Sequence, residues 1–220
     1  ECFNIIQIEN NTQRAPNMTT TINGKLDAAT AASLTELATK TLIANDLGGY
    51  TVPTHGLYPF QWNWDSAITA LGWMKSDESR AWQEIDVLFS GQWDDGMVPH
   101  ILFHKDSTTY FPGPDVWGSD KKIKSTSISQ PPVVATVMKE MLASAQDKTL
   151  AEQKVKALFS QVVDYHLWWY NDRDPENTGL VVTYHPWESG MDNSPSWDDA
   201  LEAVPGVDWE YTRRDTSHVD

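Results

Sequence analysis

Between Tyr184 and Ala200 the chain reads YHPWESGMDNSPSWDDA, with Trp187 and Trp197 set among Glu188, Asp192, Asp198 and Asp199. Pro186, Gly190 and Pro195 keep this segment out of a long helix, since proline and glycine interrupt the hydrogen-bond ladder. Two readings fit. Either the acids solvate a surface, or an acid does chemistry beside aromatic rings in the wall of a pocket. Flat rings beside carboxylates and amides suit a ligand with apolar C–H faces and many hydroxyls, which describes a sugar. The chain holds 11 Trp in 220 residues, and most stand in segments rich in Gly, Pro, Asp and His. That distribution favours a sugar over an aromatic core.

Two other stretches have the same character, and a third is polar and ends in two prolines. YPFQWNWDS, Tyr58 to Ser66, precedes a helical pattern. Asp65 or Ser66 would serve there as a plain N-cap, which leaves Tyr58, Gln61, Trp62, Asn63 and Trp64 unexplained. GQWDDGMVPHILFH, Gly91 to His104, puts Trp93, Asp94 and Asp95 in a turn. SISQPP, Ser127 to Pro132, sets Gln130 at a helix entrance, where a capping loop is the plain alternative.

Taken in order, YPFQWNWDSA, QWDDGMVPHILF, SISQPP and HPWESGMDNSP resemble the clan of inverting α-glycosidases built on an (α/α)6 barrel. Within glycoside hydrolase family 63 they are most similar to the mannosylglycerate/glucosylglycerate hydrolase group, and the resemblance runs from Tyr58 to Asp220. It implies an all-α (α/α)6 toroid, with residues 1–220 as the N-terminal part, roughly half, of a single catalytic domain. It implies hydrolysis of an α-glycosidic bond of a small glycoside with inversion, the substrate being mannosylglycerate or glucosylglycerate. The Asp of GMDNSP is the general acid in that family, which assigns the role to Asp192. By the same resemblance Trp62, Trp64 and Asp65 line the sugar subsite, with Asp65 accepting from hydroxyls. Trp187 and the Gly190 backbone complete it, and Tyr58 and Gln130 face the leaving group. Neither a cofactor nor a metal is implied.

The chemistry is consistent with those assignments. An inverting glycosidase sets a protonated carboxyl against a carboxylate that activates water on the opposite face of the sugar, about 6.5–9.5 Å away. The acid keeps its proton near neutral pH where desolvation or a neighbouring carboxylate raises its pKa. Asp192, flanked by Met191 and close in sequence to Trp187, Glu188 and Trp197, fits such a place. The family's base is a Glu far downstream of the acid, so it is expected beyond Asp220. Glu188 is too near Asp192 in sequence to reach the opposite face, and Glu210 lacks a matching context.

Arg213 and Arg214 lie beside Tyr211 in DWEYTRRDTSHVD. Arginine grips a carboxylate bidentately, and the resemblance implies an Arg downstream of the acid that binds the glycerate carboxylate. A solvated pair matched to Asp208, Glu210 and Asp215 is the alternative. An α-glucosidase acting on a neutral di- or oligosaccharide would not need these arginines. A non-catalytic sugar-binding module would keep the Trp wall and lack the second carboxylate.

The net charge is −15, with 16 Lys and Arg scattered except in DKKIK and TRRD. A nucleic-acid partner needs a basic stripe and is excluded. No apolar run is long enough to span a bilayer, which excludes a membrane partner of that kind. A small carbohydrate is the expected partner, with the oligomeric state open. Cys2 is the single cysteine, so no disulfide framework or thiolate zinc site is expected. This fits a reducing compartment and slightly favours the cytoplasm. ECFNIIQIENN has neither an initiator Met nor a basic leader, as expected where residues before Glu1 have been removed. The sequons at Asn10 and Asn17 are short matches that arise often by chance. Asp172, Asp174 and Glu176 alternate like a calcium loop but lack its sixth-position Gly and twelfth-position Glu; a helix-ending turn is expected. The histidines His100, His104, His166 and His185 have no zinc-type spacing.

The elements that must position these loops read as mainly helical. The spacing of Leu26, Thr30, Leu34, Leu37 and Ile43 predicts a helix ending at Gly48 and Gly49. Helices are also predicted over Asp65 to Lys75, Glu78 to Ser90, and from Pro131 to Ala145 with proline in the first turn. The last runs from Thr149 to Asp172, with Thr149 and Glu152 as a capping box and an apolar face of Val155, Leu158, Phe159, Val162, Leu167 and Trp169. Strands are predicted within Gly96 to His104 and Gly179 to His185. The helices are expected to pair antiparallel. The loops over 49–63, 91–129 and 172–199 are long enough to carry function.

Overall fold

The computed structural model describes residues 26–203. Cys2, the two sequons, Arg213 and Arg214 therefore lie outside the described residues. Seven α-helices and three short strands make up the regular structure described. The five predicted helices are all present, as α1 (Ala28–Asn45), α2 (Asn63–Trp73), α3 (Glu78–Phe89), α5 (Val134–Ser144) and α6 (Lys148–Asp172). Two more, α4 (Pro114–Trp117) and α7 (Asp198–Glu202), are too short to show a periodic pattern. Strands β1 (Gln61–Trp62), β2 (Ile101–Phe103) and β3 (Lys124–Ser125) form one antiparallel sheet in the order β1-β2-β3. Trp62 stands opposite Ile101, and Leu102 opposite Ser125.

Helix α3 packs chiefly against α2 and α6 in the main core. Its Trp82, Ile85, Leu88 and Phe89 are buried against Trp73 of α2, Met138 and Met141 of α5, and Leu158, Trp168 and Trp169 of α6. Each such side chain contributes roughly 1.5–3 kcal/mol on leaving water. Trp73, Trp82, Trp168 and Trp169 thus belong to the core, so the abundance of Trp is partly ordinary packing. A second cluster of Phe60, Trp62, Ile101 and Phe103 lies under the sheet, with Tyr58, Tyr110 and Trp117 against it.

Four local expectations are corrected. Asp147, not Thr149, caps α6: its carboxylate accepts from Leu150 N–H at 2.9 Å. Asp147 stands just before the first helical residue, where a carboxylate meets the uncovered N–H groups, and Thr149 is already inside the helix. On α6, Leu158 and Trp169 are buried, but Phe159 and Leu167 are exposed. They sit round the helix from the line of Ala151, Leu158, Tyr165 and Trp169 that meets α3 and α5. On α1 the stripe of Leu26, Leu34, Leu37 and Ile43 is exposed; the helix meets α2 through Leu42, close against Gly72. Residues 179–185 form no strand, because no other strand lies beside them; Val182 N–H bonds the Arg173 carbonyl at 2.7 Å instead.

A buried polar cage orients the start of α2. The Glu84 carboxylate accepts from the Thr51 N–H and hydroxyl, Gln61 Nε2, Ser66 Oγ and Arg80 Nη2, at 2.7–3.2 Å. Arg80 reaches on to Asp46 after α1 at 3.0 and 3.1 Å. Gln61 Oε1 accepts from His104 Nε2 at 2.8 Å. Gln61 and Ser66 bracket Trp62, Trp64 and Asp65, so the cage sets the direction in which those residues leave the sheet.

Candidate active site

Helix α2 starts at Asn63, two residues before the predicted boundary, and has no side-chain cap. Asn63 N–H donates instead to the His100 carbonyl at 3.0 Å. Asp65 consequently lies inside the first turn rather than capping it. Trp62 is buried, with its ring edge-on to Tyr58 (5.4 Å between centroids), Tyr110 (5.2 Å) and His100 (6.3 Å). Trp64 is half-buried, and its N–H donates to Gln130 Oε1 at 3.2 Å. That bond occupies the Gln130 amide oxygen.

The loop of Trp187 meets this wall from the other side. Pro186–Ser189 form one turn of 3-10 helix, capped by His185 Nδ1, which accepts from Trp187 N–H at 3.1 Å. The Trp187 ring lies 5.4 Å from His100, tilted by 38°, and 6.3 Å from Trp117. Trp62, His100 and Trp187 thus form a continuous series of rings. Gly190 follows with φ +69°, in the left-handed region. A Cβ there would sit 3.0 Å from Trp64 Cη2 and Cζ2 and from Pro131 Cγ. Only glycine lets this turn rest on the Trp64 ring without displacing it.

Asp192 is exposed just beyond that turn. Its charge is felt by two groups of the opposite wall. Burial pushes the Asp65 carboxyl up to about 6, and the Asp192 charge adds to the rise. Burial likewise raises the Tyr110 phenol, with Tyr58 and Asp192 contributing. Asp65, Asp192, Tyr58 and Tyr110 therefore share one neighbourhood, bordered by the ring series.

Glu188 has a different task. Its oxygens are taken by Arg173 Nε and Nη2 at 2.8–3.2 Å, by Tyr184 N–H at 2.9 Å and by Ser129 N–H at 3.3 Å. It is buried, and it ties the Trp187 loop to the end of α6 and to the Ser129–Gln130 loop. A carboxylate so engaged cannot activate water. Trp93 and Asp95 also serve structure: Trp93 Nε1 donates to Ser125 Oγ at 3.0 Å, and Asp95 accepts from Met97 N–H at 3.1 Å, while Asp94 is exposed. Asp174 closes the turn after α6, accepting from Thr178 N–H at 2.9 Å and Gly179 N–H at 2.7 Å. Among the described residues no three His, Cys, Asp or Glu side chains stand where they could hold a metal ion. No helix among them is long and apolar enough to cross a membrane.

Sequence reasoning missed Tyr110, His100, Tyr165 and Arg173. Asn63 and Ser129 stood inside quoted motifs, and their burial beside polar groups could have drawn attention to them. Tyr110 sits in a loop without any pattern, and Tyr165 reads as one more core aromatic.

A family model for the mannosylglycerate hydrolase MGH1-like glycoside hydrolase domain matches residues 58–220. Mannosylglycerate hydrolase MGH2 of Selaginella moellendorffii is 56% identical over 195 residues, which take in 88% of this chain and 40% of the relative. The mannosylglycerate hydrolase of Thermus thermophilus is 52% identical over 187 residues, 83% of this chain and 45% of the relative. The fold is similar to the crystal structure of a GH63 mannosylglycerate hydrolase from Thermus thermophilus in complex with Tris and D-glycerate. That match has a TM-score of 0.76 at 51% identity and covers 80% of this chain and 42% of the other. The chain spans less than half the length of these relatives. All four motif stretches fall within the matched residues 58–220, and the chain belongs to the MGH1-like family of glycoside hydrolases.

Proposed function

We propose that this chain carries the acid-bearing wall of an inverting α-glycosidase that hydrolyses mannosylglycerate, with glucosylglycerate as the alternative sugar. One observation supports this above all: the Gly190 turn that leads into Asp192 rests on the Trp64 ring, next to Asp65, where an added Cβ would lie 3.0 Å from that ring, and Trp64 and Trp187 are both part-exposed. The rings suit the C–H face of a hexose. Asp65, ionised above pH 6, accepts from its hydroxyls. Asp192 donates its proton to the glycosidic oxygen as the bond to the anomeric carbon breaks, and glycerate leaves as an alcohol. A second carboxylate takes a proton from water, whose oxygen bonds the anomeric carbon from the opposite face and inverts it.

With Glu188 committed to Arg173, we assign that second carboxylate to a Glu beyond Asp220. We further propose that residues 1–220 form the N-terminal part of an (α/α)6 toroid, where a neighbouring helix would cover the open stripe on α1. Tyr58 and Gln130 are proposed to border the leaving group, and Arg213 or Arg214 to grip its carboxylate.

The test uses the full-length protein. It would be incubated with mannosylglycerate, glucosylglycerate, trehalose and kojibiose beside its Asp192→Asn variant, and the released sugar followed by NMR. Release of the inverted anomer from a glycerate glycoside, lost in the variant, is the expected result. Release only from trehalose or kojibiose would reassign the substrate to a neutral disaccharide. Sugar binding without any release would reduce the site to a binding module.

A further inference from the structure

Tyr165 lies on α6, far along the chain from the loops it touches, and is completely buried. Its hydroxyl donates to the Gln130 carbonyl at 2.8 Å and accepts from Asn63 Nδ2 at 3.1 Å. It also lies 2.8 Å from Ser129 Oγ. Asn63 is the residue between Trp62 and Trp64, and its Nδ2 donates as well to the Val98 carbonyl at 3.1 Å. Ser129 Oγ bonds the same carbonyl at 2.7 Å, and its N–H reaches Glu188. One phenolic oxygen therefore joins the Trp62–Asp65 loop, the Val98–His100 segment and the Ser129–Gln130 loop. Through Ser129 and Glu188 it is linked to the loop of Trp187 and Asp192.

We propose that Tyr165 is a positioning residue for the sugar subsite: its hydroxyl sets the spacing between the Trp64–Asp65 turn and Gln130. The effect on turnover rests on the function proposed above; the effect on geometry does not. Trp64 N–H belongs to the first turn of α2, where the helix itself offers no acceptor. Gln130 Oε1 is that acceptor, and the Tyr165 hydroxyl holds the Gln130 backbone. Without the hydroxyl, Gln130 is released and Trp64 N–H loses its partner. An active-site shift of about 1 Å costs on the order of 100-fold in rate.

The experiment compares Tyr165→Phe with Leu158→Ala in the full-length protein. Leu158 is buried two turns earlier on α6, and its apolar side chain bonds none of the loops, so it controls for loss of stability. Amide exchange at Trp64 is read by NMR, and kcat and KM for mannosylglycerate are measured well below both melting points. The expected result is Trp64 exchange about tenfold faster in Tyr165→Phe than in Leu158→Ala, the factor for one lost hydrogen bond. It is accompanied by a kcat about 10- to 100-fold below the control. Trp64 exchange no faster than in the control would overturn the proposal whatever the kinetics. Faster exchange with the control's kcat would overturn it too. An inactive parent enzyme would refute the proposed substrate, and the exchange rates alone would then decide. If Tyr165→Phe does not fold, Ser129→Ala takes its place, with the same readouts and a smaller expected change.

Discussion

The Glu188 carboxylate closes on the Arg173 guanidinium through Nε at 3.1 and 3.2 Å and Nη2 at 2.8 Å, with both side chains buried. Arg173 lies between the rings of Trp168 and Tyr184, at 4.5 and 4.6 Å. Removing Glu188 takes three hydrogen bonds from the buried guanidinium and leaves the half-exposed Asp172 carboxylate as its ion partner. Glu188→Ala is therefore expected to destabilise the fold by about 3–5 kcal/mol, read from urea unfolding. A catalytic base would behave differently: Glu188→Gln would then abolish turnover with the fold intact.

Gly190 can be tested against a glycine of similar backbone and no neighbours. Gly118 has φ +59° with nothing within 4 Å of its Cβ position, whereas Gly190 at φ +69° meets Trp64 and Pro131. Both Gly→Ala changes incur about 1–2 kcal/mol for the left-handed backbone. Gly190→Ala should cost more and should also weaken sugar binding, measured by Trp fluorescence. Equal effects on stability and binding would mean that the Trp64 ring simply moves aside.

Asp65 sets a distinct pH dependence. Its carboxyl ordinarily titrates near 3.8 and is raised to about 6 by burial and then by Asp192. The folded chain holds this proton more tightly than the unfolded chain. The associated stability is full below about pH 4 and lost as pH rises to 6. Asp65→Asn should therefore gain on the parent across that window, by roughly 3 kcal/mol at neutral pH. Thermal melts of both proteins from pH 4 to 7.5 read the difference directly.

His100 works in the opposite sense. Burial, with His185 nearby, lowers its pKa to about 3, and its Nδ1 has no hydrogen-bond partner among the described residues. The unfolded chain takes up this proton near pH 6.5 and the folded chain does not. Stability from the neutral ring is thus complete above 6.5 and lost as pH falls toward 3. His100→Phe is expected to flatten this acid limb by up to about 1.4 kcal/mol per pH unit. An acid limb as steep as the parent's would assign the loss to another group.

The parts legible in the sequence were those with local causes. Five helices followed from periodicity and caps, and three of the four loops were visible as clusters of Trp, Asp, Gly and Pro. Periodicity could not say which apolar stripe meets a neighbour: Leu42 packs, while Leu34 and Leu37 do not. Composition could not separate Trp82 in the core from Trp187 in the site. Tyr110 and Tyr165 remained hidden because their roles depend on partners far along the chain. Asn63 and Tyr165 are 102 residues apart. The buried Glu188–Arg173 pair was equally invisible, since nothing in WESG distinguishes a catalytic acid from a clamped one.

The two polar networks also differ in how much chain each must close. Every contact of Glu84 falls within 33 residues, whereas the Tyr165 hydroxyl bridges up to 102. Closing a longer loop costs more entropy before any contact rewards it. The Glu84 cage is therefore expected to assemble while α6 is still unfolded. The acid-bearing wall would be completed only when α6 docks, and pulse-labelled refolding would protect Thr51 N–H before Trp64 N–H. The scaffold of the proposed sugar subsite is then an early product of folding, and its final geometry a late one.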